Sequence, residues 1–419
     1  MVATARATEL TEEAKRGRVR LAWAVVVGHA FKHLYNSAWQ TILMPEIKIG
    51  MGLGGVQFGV LATVSRASSW VTTMVAGYLG DRFSNQAGVM LGISLGTMGI
   101  SFFLAGIAPN YVVLLVAVLL IGFGPSLYHP PAISSLSRRF PDKRGFAISL
   151  HGTGGSAGEV MGPLAAAGML ALFTWSDRWE EAWRGVLQVS IVPALIGALV
   201  IWSVMRTLSG GPSATTSFRP YITSLIALLR DGKMQALVAI TALRSMGQGA
   251  IMAFLPVYLR EDLDFSATRV GLYLALAQIV GLAAQPAMGF LSDRFGRKAV
   301  LIPGMGALGL SYCALTYADT GAQLVLTILA MGAFHYSLHA IFIAAAIDVA
   351  RGHVQSTVVS LIYGAGFLGT ASPVIAGAIA DSLGTHVSFL YAGSVVLAAT
   401  AAMFFLSLPS AEEQPGART

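Results

Sequence analysis

The sequence predicts an all-α membrane protein, with twelve transmembrane helices in two pseudo-symmetric six-helix bundles. Three observations predict it. Only 11% of the 419 residues are charged and 55% are hydrophobic, whereas soluble domains carry about 25% charged residues. Mean hydropathy is +0.68. Twelve segments sharing this length receive about 35 residues each, enough for a membrane-crossing helix of roughly 20 residues and a connection. Finally, the second half of the chain repeats the first. The composition excludes a disordered chain, a collagen-like chain and a soluble enzyme. A single cysteine, Cys313, excludes a disulfide framework and a cysteine-rich metal site. The net charge of +7 reports topology in such a chain, so no nucleic-acid partner is expected.

Residues 1–20 are polar and basic and read as a cytoplasmic tail rather than a signal peptide, because the apolar run that starts at Leu21 is long enough to span. Apolar segments follow at about 21–44, 55–79, 88–108, 111–136, 144–172 and 185–205. They form a first bundle over 21–205. Residues 206–234, with SGGPSATTSFRP, read as a cytoplasmic linker. Six more segments, at about 236–259, 268–291, 299–317, 321–350, 355–380 and 386–408, form a second bundle over 235–408. Residues 409–419 are a second cytoplasmic tail.

Charge gives the orientation. Of the 27 Lys and Arg residues, Lys32, Arg66 and Arg244 lie inside apolar segments, and Lys48, Arg178, Arg184, Arg260 and Arg269 lie on one side. The other nineteen share the side of the termini. Positive residues stay in the cytoplasm, so the sequence predicts a multi-pass inner-membrane protein with both termini cytoplasmic.

The repeat is exact enough to measure. GYLGDRF at 77–83 is answered by GFLSDRF at 289–295, an offset of 212, and Pro45 by Pro256 at 211. His129 is answered by His339 at 210, and Ser149-Leu150 by Ser360-Leu361 at 211. Near-constant offsets describe two halves related by an axis along the membrane normal, as in rocking carriers.

At these residues the chain resembles the major facilitator superfamily, over all twelve segments. The family's loop signature is nearly complete in the second half, as Gly289, Asp293, Arg294, Gly296, Arg297 and Lys298. In the first half Gly77, Asp81 and Arg82 remain, with Ser84, Asn85 and Gln86 in place of the rest. The resemblance implies that these loops gate, latching the cytoplasmic side when the carrier faces outward. A narrower stretch, GFGPSLYHPPAISSLSRRF followed by KRGFAISLHGTGGSAGEVMGPLAAA, looks like the fosmidomycin-resistance group of drug exporters. Gly158-x-x-x-Gly162-Pro163 also resembles the fifth-helix motif of drug/proton antiporters, where small residues let helices approach. Ala165-Ala166 stand where that motif often ends in Gly-Gly. The resemblance implies secondary transport by alternating access, without a cofactor.

Ionisable residues inside a span cost about 2.5–3.5 kcal/mol on insertion scales, so each is a functional hypothesis. The first segment carries GHAFKHLYNSAW. At about 100° per residue, Lys32, Asn36, His29 and His33 share an arc roughly 100° wide, which reads as a cavity wall or a helix contact. Arg244 in the seventh segment lies at Lys32 plus 212. Organic-anion carriers of the resembled superfamily use a similar cation pair, so Lys32 and Arg244 read as a clamp, against pairing of Arg244 with Glu159 or carbonyls. Arg66 is a third cation, in the substrate cavity or structural. His335 and His339 join the substrate-binding candidates. Glu159 is the one acid deep within a segment, whereas Asp348 near a helix end reads as structural. Glu159, His129 and His151 are the proton-coupling candidates, since His titrates near neutral pH. His151 and Glu159, about 80° apart around one helix, are expected to face different neighbours.

Three buried cations against one acid favour an anionic substrate. The leading reading is a monomeric antiporter that couples protons to efflux of a small organic anion or amphipathic drug. An importer or exchanger on the same fold is the rival. Six histidines raise metal transport, but no accompanying carboxylate pair supports it, and no metal site is assigned. No nucleophile–base pair or phosphate-cradling loop supports an enzyme, so no catalytic residue is assigned.

Overall fold

A computed structural model describes residues 12–82, 86–140, 144–174, 181–206, 222–223, 226–350 and 355–408. Among them the helices group into twelve successive crossings. α1 (Glu12–Ala38) passes through a π-helical turn (Trp39–Leu43) into a short helix (Met44–Gly50). α2 (Gly55–Arg82) and α3 (Ala87–Gly106) are continuous. α4 is broken into Tyr111–Ser126 and His129–Arg139, α5 is Arg144–Thr174, and α6 runs as Ala182–Val189 and Ile191–Arg206. In the second half α7 is Gly232–Val257 followed by a π turn (Tyr258–Asp262), α8 is Ala267–Phe295 and α9 is Arg297–Leu315. α10 is broken into Gly321–His335 and Leu338–Val349. α11 is Gln355–Leu368, a 3-10 turn (Gly369–Ala371) and Ser372–Leu383, and α12 is Val387–Phe405. Ten of these crossings are long and apolar enough to span a bilayer. The other two, α1 and α2, carry the buried cations Lys32 and Arg66.

Among the described residues α1 reaches back to Glu12, inside the stretch read as a tail, and EEAKRGRVR consists largely of good helix formers. Most of the predicted linker and the tail 409–419 lie outside the described residues.

Packing repeats between the halves. α1 lies along α5, α2 along α4 and α3 along α6, and correspondingly α7 packs on α11, α8 on α10 and α9 on α12. Further contacts join the halves, chiefly α2 with α11 and α5 with α8. Small residues set the close approaches. A methyl group on Gly158 would collide with the Ala30 carbonyl, and Gly154 and Gly162, one turn away on either side, are similarly crowded by α1. The predicted glycine spacing therefore brings α1 and α5 together.

The breaks in α4 and α10 fall at equivalent places. In α4 two residues, Leu127 and Tyr128, separate the pieces, and Pro130 and Pro131 occupy the opening turn of the second. Neither proline has an N–H to continue the ladder from above. In α10, Tyr336 and Ser337 separate the pieces without proline. Each break leaves a histidine at the start of the new helix, His129 or His339.

The two ends of the molecule are held differently. Opposite the signature loops the halves are clasped by Glu46 with Arg260 at 2.5 Å and Lys48 with Glu261 at 2.6 Å. Asp381 of α11 accepts hydrogen bonds from the first amides of α2, Gly55 at 2.5 Å and Val56 at 2.9 Å. At the other end Arg297 pairs with Asp293 and with Asp348 at 3.0 Å, while Lys298 donates to the Phe404 carbonyl at 2.7 Å. Those contacts stay within the second half.

Candidate functional site: a cation and an imidazole in each half

In the first half, Lys32 projects from α1 to the broken segment of α4. Its Nζ donates to His129 Nε2 at 2.9 Å and to His33 Nε2 at 3.1 Å. Lys32 is only 5% exposed, and a buried ammonium requires such partners. His33 Nδ1 lies 3.0 Å from Glu159 Oε1 on α5. One turn away along α1, His29 donates from Nδ1 to the His151 carbonyl at 2.7 Å, and its ring stacks on His151 with centroids 3.6 Å apart. Tyr128 closes the cage from α4, with its hydroxyl on the Val25 carbonyl at 2.9 Å. Ser37 donates to the Glu159 carbonyl at 2.9 Å, which pins α1 to α5 at the level of the acid.

His151 and Glu159 were expected to face different neighbours, yet both meet α1. Eight residues rise about 12 Å along a helix, and a residue 80° round still borders the contact line with a helix packed alongside. Depth separates them, not partner. Asn36, one turn further along α1, accepts a hydrogen bond from the Gln40 amide at 3.3 Å.

The second half repeats the central pair. Arg244 of α7 donates from Nη2 to His339 Nδ1 of α10 at 3.3 Å. The sequence offsets, 212 between the cations and 210 between the imidazoles, are thus the signature of one contact made twice. The surroundings differ. The guanidinium lies 4.9 Å over the Phe342 ring and is 1% exposed. Among the described residues its Nε and Nη1 have no hydrogen-bond partner, nor does His339 Nε2. His335 is held by Tyr312, whose hydroxyl lies 2.6 Å from its Nδ1. Arg244 therefore pairs with neither Glu159 nor a carbonyl.

Arg66 lies between the halves. With Gln40, Met44, Ala62 and Ser65 of the first half and Met252 and Ala253 of the second, it lines a small pocket. Gln40, Ser65 and Met252 carried no charge signal in the sequence. Glu46, Lys48, Arg260 and Glu261 did carry one, flanking the paired Pro45 and Pro256.

The ligating nitrogens of His29, His33 and His129 lie within 4.8 Å of one another, a spacing compatible with a metal. The ammonium of Lys32, however, stands between two of them and uses both Nε2 lone pairs. The donor set holds a cation of its own.

Of the signature residues, Gly289 and Arg294 close α8 alongside Asp293, whereas the side chains of Asp81 and Arg82, and Gly77 with them, lie outside the described residues.

Comparisons with known proteins agree with this architecture. The Fosmidomycin resistance protein of Escherichia coli (strain K12) is 22% identical over 380 residues, covering 89% of this chain and 90% of that one. The Probable sulfoacetate transporter SauU of Cupriavidus necator is 23% identical over 414 residues, covering 90% and 92%. The fold superposes with a TM-score of 0.77 on a bacterial homolog of the human lysosomal transporter Spinster in an inward-facing, unoccupied conformation, at 16% identity and 94% and 97% coverage. The family model for the Major Facilitator Superfamily matches residues 30–243 and 237–419. The chain belongs to the major facilitator superfamily and is a transporter, not an enzyme.

Proposed function

We propose that this transporter couples protons to the export of a small organic anion by alternating access, working as a monomer in the inner membrane with both termini cytoplasmic. One observation carries the reading: Lys32, Arg66 and Arg244 are three cations within the spans, while Glu159, beside His33, is the one acid set deep in a span. Arg244 keeps two buried N–H groups free, and desolvated donors of that kind gain most from an anion. Asp348 and Asp381 do not offset this surplus, because one pairs with Arg297 and the other with the amides of α2. The small pocket beside Arg66 is lined from both halves. Its Met and Ala lining suits a compact apolar body attached to the anionic group. One relative is named for fosmidomycin resistance, which export of the drug would give, and sulfoacetate, named for the other, is an anion.

Glu159 supplies the proton site, beside His33 and facing the space between the halves. His129 and His151 surround it. Arg294, Arg297 and Lys298, with Asp81 and Arg82, form the cytoplasmic latch of the alternate state, when the clasp at Glu46 and Arg260 opens.

The test is a thermal-shift panel on purified protein. It includes sulfoacetate, benzoate and fosmidomycin, the zwitterion glycine betaine, the cation tetraphenylphosphonium, and salt controls. Selective stabilisation by organic anions is expected. Stabilisation by the zwitterion or the lipophilic cation alone would overturn the anion reading.

A further inference from the structure

Chemistry fixes the sense of the hydrogen bonds in the histidine cage. A charged lysine only donates, so His33 Nε2 and His129 Nε2 accept from Lys32. A carbonyl only accepts, so His29 donates from Nδ1 to His151, and its neutral ring keeps a lone pair at Nε2. That nitrogen is buried and, among the described residues, has no hydrogen-bond partner. Three imidazole lone pairs therefore gather here, and Lys32 uses two of them. One nitrogen of each of His29, His33 and His129 lies within 4.8 Å of the other two.

We propose that His29, His33 and His129 form a binding site for a divalent transition-metal ion of the zinc class, for which the Lys32 ammonium competes. Imidazole nitrogens suit zinc, copper and nickel, whereas magnesium and calcium require oxygen ligands. His29 and His33 stand one turn apart on one face of α1, and His129 meets them from the break in α4. Ligands drawn from two helices leave no motif in the sequence. His29 already has the outer-shell partner that metal-binding histidines use, a carbonyl on the far nitrogen that fixes tautomer and ring orientation. His33 Nδ1 makes no hydrogen bond, but Glu159 Oε1 stands 3.0 Å from it and supplies negative charge beside the cluster. Metal–nitrogen bonds of about 2.0–2.1 Å in a tetrahedron need nitrogens about 3.3 Å apart, so the rings must turn inward on binding. Three protein ligands leave a fourth position for water.

Lys32 is the tethered rival. It supplies the positive charge of the cluster but leaves His29 Nε2 unused, whereas a metal ion would use all three lone pairs. To enter, the ion must displace the ammonium, which then gives up both of its hydrogen bonds to imidazole. Glu159 marks the way in, with a side chain 40% exposed against 15% for His33. The remaining groups of the cage offer no fourth ligand. The Tyr128 hydroxyl is on the Val25 carbonyl, and His151 presents its ring face to His29, with centroids 3.6 Å apart. A bound ion would tie α1 to the second piece of α4.

The experiment is an equilibrium titration of purified full-length protein, carrying no histidine tag, with Co2+ as the probe. Four-coordinate Co2+ on imidazole absorbs strongly in the visible, whereas the aqueous ion absorbs weakly. Wild type should develop that spectrum, and Zn2+ should displace the cobalt while Mg2+ should not. Lys32→Met removes the competing ammonium at similar length. It should bind at least about tenfold tighter than wild type, the worth of one charge-assisted hydrogen bond. His29→Gln keeps a donor for the His151 carbonyl but lacks the imidazole lone pair. It should bind at least about tenfold more weakly, since losing even an outer-shell partner costs that much. Thermal melts establish which variants fold, and wild type with either variant decides the matter. No cobalt spectrum in wild type, or an affinity indifferent to His29→Gln, would overturn the site. Equal affinity in wild type and Lys32→Met would overturn the competition. Organic anions in the thermal-shift panel report on the substrate and not on this cluster, so the two proposals fail separately.

Discussion

The two halves make one contact in two settings. Lys32 with His129 and Arg244 with His339 occupy equivalent positions, 2.9 and 3.3 Å apart. In the first half the cation is shared between two imidazoles, and an acid stands behind one of them. In the second half the cation is sealed under Phe342 with two N–H groups unused. No acid accompanies it: the position equivalent to Glu159 falls at Thr370 or Ala371, by offsets of 211 or 212. Duplication gave both halves a cation and an imidazole, and divergence left one half with an acid beside its imidazole and the other with a guanidinium whose Nε and Nη1 are unpaired. A division of labour of this kind can be broken one half at a time.

The largest effect should come from the acid. Glu159→Gln keeps shape and hydrogen bonding but cannot exchange a proton. Accumulation driven by a pH gradient should vanish in proteoliposomes, while exchange of labelled substrate at equal pH persists. Equal loss of both would place Glu159 in substrate binding and blur the two halves. Next comes Arg244→Gln, which removes a charge-assisted contact of about 1.5–3 kcal/mol, or roughly 10- to 150-fold in equilibrium affinity. Its proton dependence should be unchanged. Arg244→Lys should recover only part of the loss, because an ammonium cannot reproduce the planar fork. Unchanged affinity in folded Arg244→Gln protein would remove the second half from anion recognition.

Lys32→Gln should cost less. Its charge already serves two imidazoles, so substrate gains from it only what an ordinary hydrogen bond nets, about 0.5–1.5 kcal/mol, or about 2- to 12-fold. The double variant measures whether the cations grip one group: a deficit from additivity in titration calorimetry indicates a shared anion, whereas simple addition indicates two separate contacts. A loss at Lys32 exceeding that at Arg244 would reverse the proposed assignment of the halves.

Much of this arrangement was legible before any coordinates. Hydropathy marks ten of the crossings outright because lipid forces a span to be apolar along its length, while α1 and α2 are diluted by polar residues. The offsets mark the duplication, and the arc of His29, Lys32 and His33 marks a face that cannot meet lipid. The partners of that face were not legible. Lys32 reaches His129 across 97 positions only because α4 breaks at Leu127 and Tyr128, and breaks of that depth depend on packing. Periodicity places Asn36 on the same arc, but its hydrogen bond with Gln40 carries no such signal. The angle between His151 and Glu159 was right, whereas the inference from it neglected how much of a helix's surface a neighbour pinned by glycines can cover. Glu46, Lys48, Arg260 and Glu261 were visible as charges, but counting them for topology hid their reciprocal pairing.

That pairing provides the smallest and most structural test. Glu46 with Arg260 and Lys48 with Glu261 cross the halves in opposite senses, so each half contributes one acid and one base to the clasp. Their side chains are partly exposed, and pairs of this kind are worth about 0.2–1 kcal/mol. Arg260→Glu should therefore shift the population toward opening at that end by no more than about fivefold, and by less at high salt. Exchanging both charges, Glu46→Arg with Arg260→Glu, keeps the attraction and should return the population to that of wild type. Distances between spin labels on the loops carrying Asn110 and Asp319, with Cys313 replaced, report the opening directly. If the single and exchanged variants behave alike, the clasp contributes nothing through charge. The closed end would then be held by backbone approach alone, with Asp381 on the first amides of α2 as its polar anchor. Asp381→Asn should then open that end where Arg260→Glu did not.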